Sequence, residues 1–196
     1  MEDHRKYFDS IASEWDSLLS EEERIKEVVD LMNISPDEII LDVGCGTGRL
    51  IPHLQKRLES GGRIFGLDFS LKMLLNAKMK KYSGLAEFVN GCAEYLPFKE
   101  RRFSRIICFA VFPHIIDKKM SVSEFNRLLK RNGILNVLHL RSREELNEFH
   151  KNIGGVLSED LLPDENTMRK ILESGGFKDI TIVNKPSFYH TQCTKV

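Results

Sequence analysis

The chain has 196 residues, 41% of them hydrophobic, which is enough for one domain with a sizeable core. Lysine plus arginine and aspartate plus glutamate both number 29, and this balance disfavours a protein that tracks nucleic-acid phosphates or a membrane surface. We expect neither a signal peptide nor a membrane span, because no window approaches ~18 apolar residues. Four cysteines lie far apart without paired spacing, which favours a reduced, cytoplasmic location.

Two helices are predicted before the first strand. Aromatic and apolar side chains recur along one side of residues 3–17, among them Tyr7, Phe8 and Trp15. A capping-box pattern at residues 20–23, beginning with Ser20, predicts a second helix that ends near Met32.

The strongest pattern lies at residues 39–50. The β-branched run Ile39–Val43 predicts a buried strand with Asp42 near its end. The turn that follows contains Gly44, Cys45, Gly46 and Gly48. A helix is predicted directly afterwards, from Arg49 to Leu58. Strand, glycine-rich turn and helix open a nucleotide-binding unit, because glycine accepts positive φ and lets a ligand approach the backbone.

The second predicted strand, residues 63–68, also ends in an acid. Asp68 follows the glycine turn at the distance where nucleotide-binding sheets place a carboxylate that accepts hydrogen bonds from ribose hydroxyls. Ser70 is suited to cap a helix over residues 71–81.

The remaining elements alternate along the chain. Strands are predicted at residues 86–90, 105–111, 133–140, 176–184 and 187–194, the last two as a hairpin around Pro186. One helix is predicted to begin after Ser121, which heads a capping box, and to end at Asn132-Gly133. Two further helices are predicted after Ser142 and at residues 165–174.

These motifs resemble class I S-adenosylmethionine (AdoMet)-dependent methyltransferases of the small-molecule, UbiE-like (type 11) group. The third glycine comes one place too early for the dinucleotide fingerprint Gly-x-Gly-x-x-Gly. Residues 91–98 are similar to the family stretch Gly-Asp-Ala-Glu-x-Leu-Pro-Phe, and residues 7–16 to its N-terminal aromatic signature. The resemblance covers almost the whole chain.

The resemblance implies a three-layer α/β, Rossmann-like sandwich. Its seven-stranded, mostly parallel sheet would have the order 3-2-1-4-5-7-6, with strand 7 antiparallel. Residues 1–196 would form a single domain, in which residues 1–34 cover the cofactor site and residues 139–163 form a substrate lid. The implied activity is in-line transfer of a methyl group from AdoMet to a small-molecule acceptor, with S-adenosyl-L-homocysteine as product.

The expected cofactor contacts combine the glycine turn, the two acids and family positions. They are Tyr7, Trp15, Asp42, Gly44, Cys45, Gly46, Gly48, Asp68, Phe69, Cys92, Ala93, Glu94 and Phe109. Phe8 we interpret as an ordinary core anchor. Cys92 stands where the family usually has an aspartate that accepts from the adenine amino group, and a thiol is a weaker acceptor.

Two histidines are candidate catalytic residues. His139 closes the fifth strand, at the edge where open α/β sheets hold ligands, and His114 matches a frequent family histidine after the fourth strand. The acids and histidines at residues 139–150 also invite a metal hypothesis, but their spacing disfavours it and no metal is predicted. Two alternatives stay open: an AdoMet-binding sensor or partner subunit without catalysis, and an NAD-dependent oxidoreductase.

Overall fold

The computed structural model describes residues 1–17, 21–80 and 83–196. Seven strands form one sheet: β1 (Ile39–Val43), β2 (Arg63–Asp68), β3 (Glu87–Asn90), β4 (Phe103–Phe109), β5 (Leu129–His139), β6 (Phe177–Lys185) and β7 (Phe188–Lys195). Their order is β3-β2-β1-β4-β5-β7-β6. The first five strands pair in parallel, and β7 lies antiparallel between β5 and β6. The predicted order and the antiparallel last strand are confirmed.

Helices cover both faces of this sheet. They are α1 (Glu2–Ile11), α2 (Glu22–Leu31), α3 (Ile51–Gln55), α4 (Leu71–Met79), α5 (Lys118–Leu128), α6 (Arg143–Ile153) and α7 (Glu165–Ser174). Neighbouring strand residues point to opposite faces, so Ile40 packs with α2 and α3 while Leu41 packs with α5 and α7. Among the described residues, no helix is long and apolar enough to cross a membrane.

Several predicted helix ends are confirmed by their hydrogen bonds. The Ser70 hydroxyl accepts from the Met73 N–H at 3.2 Å and caps α4. Ser142 and Glu145 form a complete capping box at the start of α6. Helix α7 has the predicted bounds, and its cap is Asp164.

The start of α5 was predicted wrongly. Asp117, four residues before Ser121, caps the helix by accepting from the Met120 N–H at 2.9 Å. Ser121 is buried inside α5, and within the described part of the chain its hydroxyl has no hydrogen-bond partner. The predicted stop is also wrong: Asn132, with a φ of 60°, and Gly133 lie inside β5, next to a register shift against β4.

The two helices nearest the glycine turn are shorter than predicted. Helix α1 ends at Ile11, and residues 12–17 form turns instead of continuing the helix. Helix α3 occupies only Ile51–Gln55, because the turn around Gly48, with a φ of 78°, extends into the expected first residues. The capping box expected at Ser20 lies outside the described residues; α2 begins at Glu22, and its N-cap Glu21 makes no side-chain cap.

Candidate cofactor site

A cleft opens at the carboxyl ends of β1, β2 and β4, the edge where open α/β sheets bind ligands. It has two lobes, of about 660 and about 440 Å³. Four residues line both lobes: Gly44, Phe69, Val111 and His114. The first lobe lies against Asp42 and Asp68, and the second against Cys92 and Ala93.

The glycine turn forms the floor of the first lobe. The Cys45 N–H donates to the Leu67 carbonyl at 2.9 Å, which fixes the turn to β2. A Cβ on Gly44 would overlap the side chain of Val111, so this position needs glycine for packing. Gly46, with a φ of 54°, is different: a Cβ there would meet only Trp15 Nε1, at 3.5 Å, so its backbone is open to the cleft.

Asp68 ties the end of β2 to the glycine turn. Its Oδ2 accepts from the Gly46 N–H and its Oδ1 from the Ser70 N–H, both at 2.8 Å. Burial raises the pKa of Asp68 to about 6, although these two hydrogen bonds act in the opposite direction. Each oxygen keeps a further lone pair for a ligand.

Asp42 is a second buried carboxylate in the first lobe, only 2% exposed. Its Oδ2 has no hydrogen-bond partner among the described residues. Burial, and then the nearby charge of Asp68, raise the pKa of Asp42 well above its usual value. An unpartnered buried carboxylate oxygen is costly to the empty protein, so it marks a position where a ligand can supply the missing donor.

The N-terminal segment is hydrogen-bonded across the first lobe. Asp9 accepts from the Ser70 hydroxyl at 2.5 Å, and Asp16 accepts from the Thr47 hydroxyl at 2.6 Å. Trp15 lines this lobe, and so does Phe8, which is buried as predicted but forms part of the cleft as well. Helix α2 contributes no lining residue, so within the described part of residues 1–34 only Met1, α1 and the turns after α1 cover the cleft.

The second lobe contains the loop after β3. Cys92, Ala93 and Glu94 line it as expected, and Cys92 is half-buried. The Glu94 carboxylate accepts from the Asp117 N–H at 3.3 Å and so helps to hold the start of α5. The lobe therefore presents an apolar floor with a thiol at the position that the resemblance assigns to an acceptor for adenine.

Most predicted cofactor residues line the cleft, but Tyr7 and Gly48 do not. Tyr7 packs edge-on against Phe8, with 5.3 Å between ring centroids, and Gly48 only turns the chain. The sequence missed further lining residues of the first lobe, namely Phe8, Arg49, Leu50, Met73, Ala110 and Val111. The sequence could have indicated most of these residues because they lie one to three positions from predicted contacts. Met73 could have been found from its place on the inward face of α4.

The two candidate catalytic histidines differ in their placement. His139 is 2% exposed, lines neither lobe and packs edge-on against Tyr189. Burial lowers the pKa of His139 to about 3, which keeps the ring neutral. This placement corrects the expectation that His139 faces the acceptor. The end of β5 does lie at the carboxyl edge of the sheet, but the His139 side chain is buried against Tyr189 of β7, close enough to His114 and His150 for both to lower its pKa.

His114 instead lines both lobes, in the short 3-10 turn Phe112–His114 that follows β4. Its Nδ1 lies 2.7 Å from the Oδ2 of Asp160, a residue that sequence reasoning did not single out. The two residues are 46 positions apart, and no local motif connects them. In the described residues no group of three or more His, Cys, Asp or Glu side chains could hold a metal ion.

A doubly wound sheet with an antiparallel last strand, and a glycine turn beside two acids at its carboxyl edge, define a nucleotide-binding α/β protein of the methyltransferase type. Residues 41–137 match the family model described as "Methyltransferase domain". Over these residues the chain belongs to the class I AdoMet-dependent methyltransferase family, whose cofactor is AdoMet.

Individual relatives agree with this family. The chain is 37% identical over 142 residues to a demethylmenaquinone methyltransferase of Thermotoga maritima, covering 69% of this chain and 60% of the relative. It is 33% identical over 133 residues to the ubiquinone/menaquinone biosynthesis C-methyltransferase UbiE of Wigglesworthia glossinidia brevipalpis, covering 66% and 52%. The chain thus spans about half the length of that relative. A SAM-dependent methyltransferase structure from Aquifex aeolicus shares the fold, with 19% identity, a TM-score of 0.71 and coverage of 88% and 89%.

Proposed function

We propose that this protein transfers a methyl group from AdoMet to an uncharged small-molecule acceptor by in-line displacement. The observation that carries the proposal is the pair of buried carboxylates, Asp42 and Asp68, beside the open backbone of Gly46. Asp42 keeps an unpartnered oxygen, and Asp68 keeps free lone pairs on both oxygens. Such a floor favours a ligand that brings hydroxyl groups and positive charge.

AdoMet fits this donor set. Its ribose hydroxyls would donate to Asp68, and its cationic end would relieve the uncompensated charge near Asp42. Phe69 and the loop at Cys92 and Ala93 would hold the adenine ring. When bound, AdoMet supplies a methyl group already activated by a sulfonium, so the chain mainly orients the acceptor and excludes water, and a base is needed only where the acceptor must lose a proton.

The walls of the cleft favour an apolar acceptor. Phe8, Phe109 and Val111 line the first lobe, and the chain carries no net charge that would attract a polyanion. The names of the two relatives refer to quinone biosynthesis, so reduced naphthoquinones are the first acceptors to test. The cytoplasmic location stays a prediction that rests on the four free thiols.

Residues 139–163 stay part of the proposal as a substrate lid. Gly154 and Gly155 both adopt positive φ, 72° and 59°, with open space where a Cβ would lie, which suits a hinge. Leu157, directly beyond them, packs in one apolar cluster with Phe8 and Ala12 of the N-terminal segment. Closure of the lid would therefore be linked to the segment that covers the cofactor.

Calorimetric titration with AdoMet and, separately, NADH tests the cofactor. We expect AdoMet to bind and NADH not to bind. Asp68→Asn should weaken AdoMet at least tenfold, because charge-assisted hydrogen bonds contribute about 1.5–3 kcal/mol each. Gly46→Val should abolish binding, because a branched side chain would fill the open floor.

The matched control is Asp37→Asn, since Asp37 is exposed in the turn before β1 and should leave the affinity unchanged. Tighter binding of NADH than of AdoMet would contradict the proposal and favour the oxidoreductase. Binding of AdoMet without methylation of any member of a broad acceptor panel would favour a sensor or partner subunit.

A further inference from the structure

Three histidines from distant parts of the chain converge on Asp160, in the loop before α7. His114 Nδ1 lies 2.7 Å from Asp160 Oδ2, and His4 Nε2 lies 2.9 Å from Oδ1. His150 of α6 donates from Nδ1 to the backbone carbonyl of Asp160 at 2.5 Å. Asp160 is therefore held from two sides through its carboxylate and from a third through its main chain.

The protonation of Asp160 decides which tautomer His114 adopts. Burial opposes ionisation, but the hydrogen bonds from His114 and His4 hold the pKa of Asp160 below its usual value. An ionised carboxylate can only accept, so Nδ1 of His114 must carry the proton. In the neutral ring, Nε2 of His114 is then the nitrogen with the free lone pair.

Nε2 of His114 is accessible from the cleft. The His114 side chain is 11% exposed, and the ring lines both lobes of the cleft. Within the described residues Nε2 has no hydrogen-bond partner, and it is not one of the buried unpartnered atoms, in contrast to Nε2 of His139. Phe8 packs edge-on against the ring, at 5.1 Å between centroids, and fixes its tilt.

We propose that His114 is the general base of the reaction, that Asp160 positions it, and that the acceptor carries an ionisable hydroxyl. This inference rests on the proposed methyl transfer and adds a proton path to it. An amine with a free lone pair needs no base before it attacks, whereas a hydroxyl does. A base oriented by a carboxylate at the cleft therefore favours the hydroxyl.

The step balances as follows. Nε2 of His114 takes the hydroxyl proton, and the electron pair left on the acceptor forms the new bond to the methyl carbon. The carbon–sulfur bond breaks, and its pair stays on sulfur, which becomes a neutral thioether. If the new bond forms at a ring carbon conjugated with the hydroxyl, that carbon then loses its own hydrogen as a proton to water, and the electron pair of the broken C–H bond restores the aromatic ring with the negative charge on its oxygen. The imidazolium, paired with Asp160, returns its proton to water.

His4 connects this base to the N-terminal cover. It lies on α1, whose following turn brings Trp15 to the glycine turn. Because His4 shares the carboxylate of Asp160 with His114, the base is fully oriented only when α1 is docked. His4 and Asp160 are positioning residues, and only His114 would touch the acceptor.

Nitrogen NMR of the histidine side chains tests the orientation without any acceptor. In the cofactor-free protein near neutral pH, we expect His114 to be protonated on Nδ1. Asp160→Asn should move a measurable fraction of His114 to the Nε2–H tautomer, because an amide can also donate to Nδ1. A His114 that carries its proton on Nε2 in the unmodified protein would overturn the proposal.

Turnover with 1,4-naphthalenediol, kept anaerobic, and with histamine tests the acceptor class. His114→Gln should lower kcat with the diol by about 10²–10⁴-fold, the usual contribution of a general base, while the dissociation constant of AdoMet changes less than twofold. Imidazole added to His114→Gly should restore part of that turnover, which a purely structural role would not predict. Asp160→Asn should lower kcat more than it changes KM.

The matched control is His53→Gln. His53 also pairs with a carboxylate, Glu22, at 2.8 Å, but it lies outside the cleft, so turnover should not change. Full turnover of the diol by His114→Gln, with AdoMet still bound, would overturn the base and leave the proposed methyl transfer standing. Methylation of histamine but not of the diol would overturn the acceptor class. Failure of the unmodified protein to bind AdoMet would overturn both proposals.

Discussion

Two groups of buried polar side chains lie in the central sheet, and they differ in how completely they are paired. One begins at the amino ends of β1 and β4. There Arg105, 1% exposed, donates to both oxygens of Glu38 at 2.6 and 2.8 Å and to the Asn136 side chain at 2.8 Å. Asn136 donates in turn to His190 Nε2 at 3.0 Å and to Gln192 at 3.2 Å.

The other group lies at the carboxyl ends of β1, β2 and β5 and is incomplete. Asp42 Oδ2 and His139 Nε2 have no partner within the described residues, and burial raises the pKa of both Asp42 and Asp68. In the first group, burial and the charge of Arg105 lower the pKa of His190 to about 4, so its ring stays neutral and can accept from Asn136. The paired network therefore stabilises the fold, whereas the unpaired carboxylates lower the stability of the cofactor-free protein at a place where a ligand can supply the missing hydrogen-bond donors.

The largest expected effect is the loss of stability on breaking the paired network. Arg105→Met leaves Glu38 as a buried, uncompensated charge, so the free energy of unfolding in urea should fall by about 3–5 kcal/mol. The double variant Glu38→Leu/Arg105→Met should recover much of this loss, because a buried pair replaced by apolar residues is often neutral. A single variant that loses less than about 1 kcal/mol would remove the distinction between the two groups.

The second effect is a dependence of stability on pH that comes from Asp68. Its folded-state pKa of about 6 lies above the value of 3.8 for an unburied carboxyl. The folded protein therefore keeps a proton that the unfolded chain gives up, so this contribution to stability is complete below about pH 4 and is lost as the pH rises through 6. The shift corresponds to about 3 kcal/mol.

Urea unfolding of the cofactor-free protein between pH 4 and 7 measures this contribution as the difference between wild type and Asp68→Asn. The wild type should lose stability relative to the variant as the pH rises. If the free energies of unfolding of the two proteins change in parallel with pH, folding does not raise the pKa of Asp68. Carboxylates distant from Asp68 cancel in the difference, whereas Asp42, whose pKa the charge of Asp68 also raises, adds to the difference in the same direction.

A third, smaller effect concerns Asp42. Asp42→Asn removes a carboxyl group whose ionisation burial and the charge of Asp68 disfavour, so at pH 7 the free energy of unfolding of the cofactor-free protein should rise by about 1–2 kcal/mol. AdoMet should bind at least tenfold more weakly to the same variant. A variant that loses both stability and affinity would place Asp42 with the network that serves folding.

The smallest effect is expected in the second lobe of the cleft. Cys92→Asp adds a strong acceptor, and it should tighten AdoMet by about 1 kcal/mol if the adenine amino group lacks a partner. Titration with an AdoMet analogue that lacks the amino group is the control, and its affinity should not improve. Equal gains for both ligands would show that no hydrogen bond to adenine is involved.

The sequence by itself determined the strands and the glycine turn, whereas the strand order was implied by the resemblance to a known family. Apolar runs such as Ile39–Val43, and the acids that end two of the strands, are local patterns of the sequence. Each later strand was predicted in the same way, from an apolar run that follows a helical pattern. The residues that line the cleft near Asp42, Asp68 and Cys92 were found for the same reason, since the carboxyl edge of a parallel sheet collects the ends of its strands.

Only the tertiary structure decided which polar groups meet. Asp160 lies 156 residues from His4 and 46 from His114, and Arg105 lies 67 residues from Glu38, so no spacing along the chain relates them. The burial of His139 likewise depends on Tyr189 of β7, a strand fifty residues later that pairs antiparallel with β5. The sequence shows which side chains are polar, but packing between distant elements decides which of them pair. Each hydrogen bond forms only where those elements bring donor and acceptor within about 3 Å.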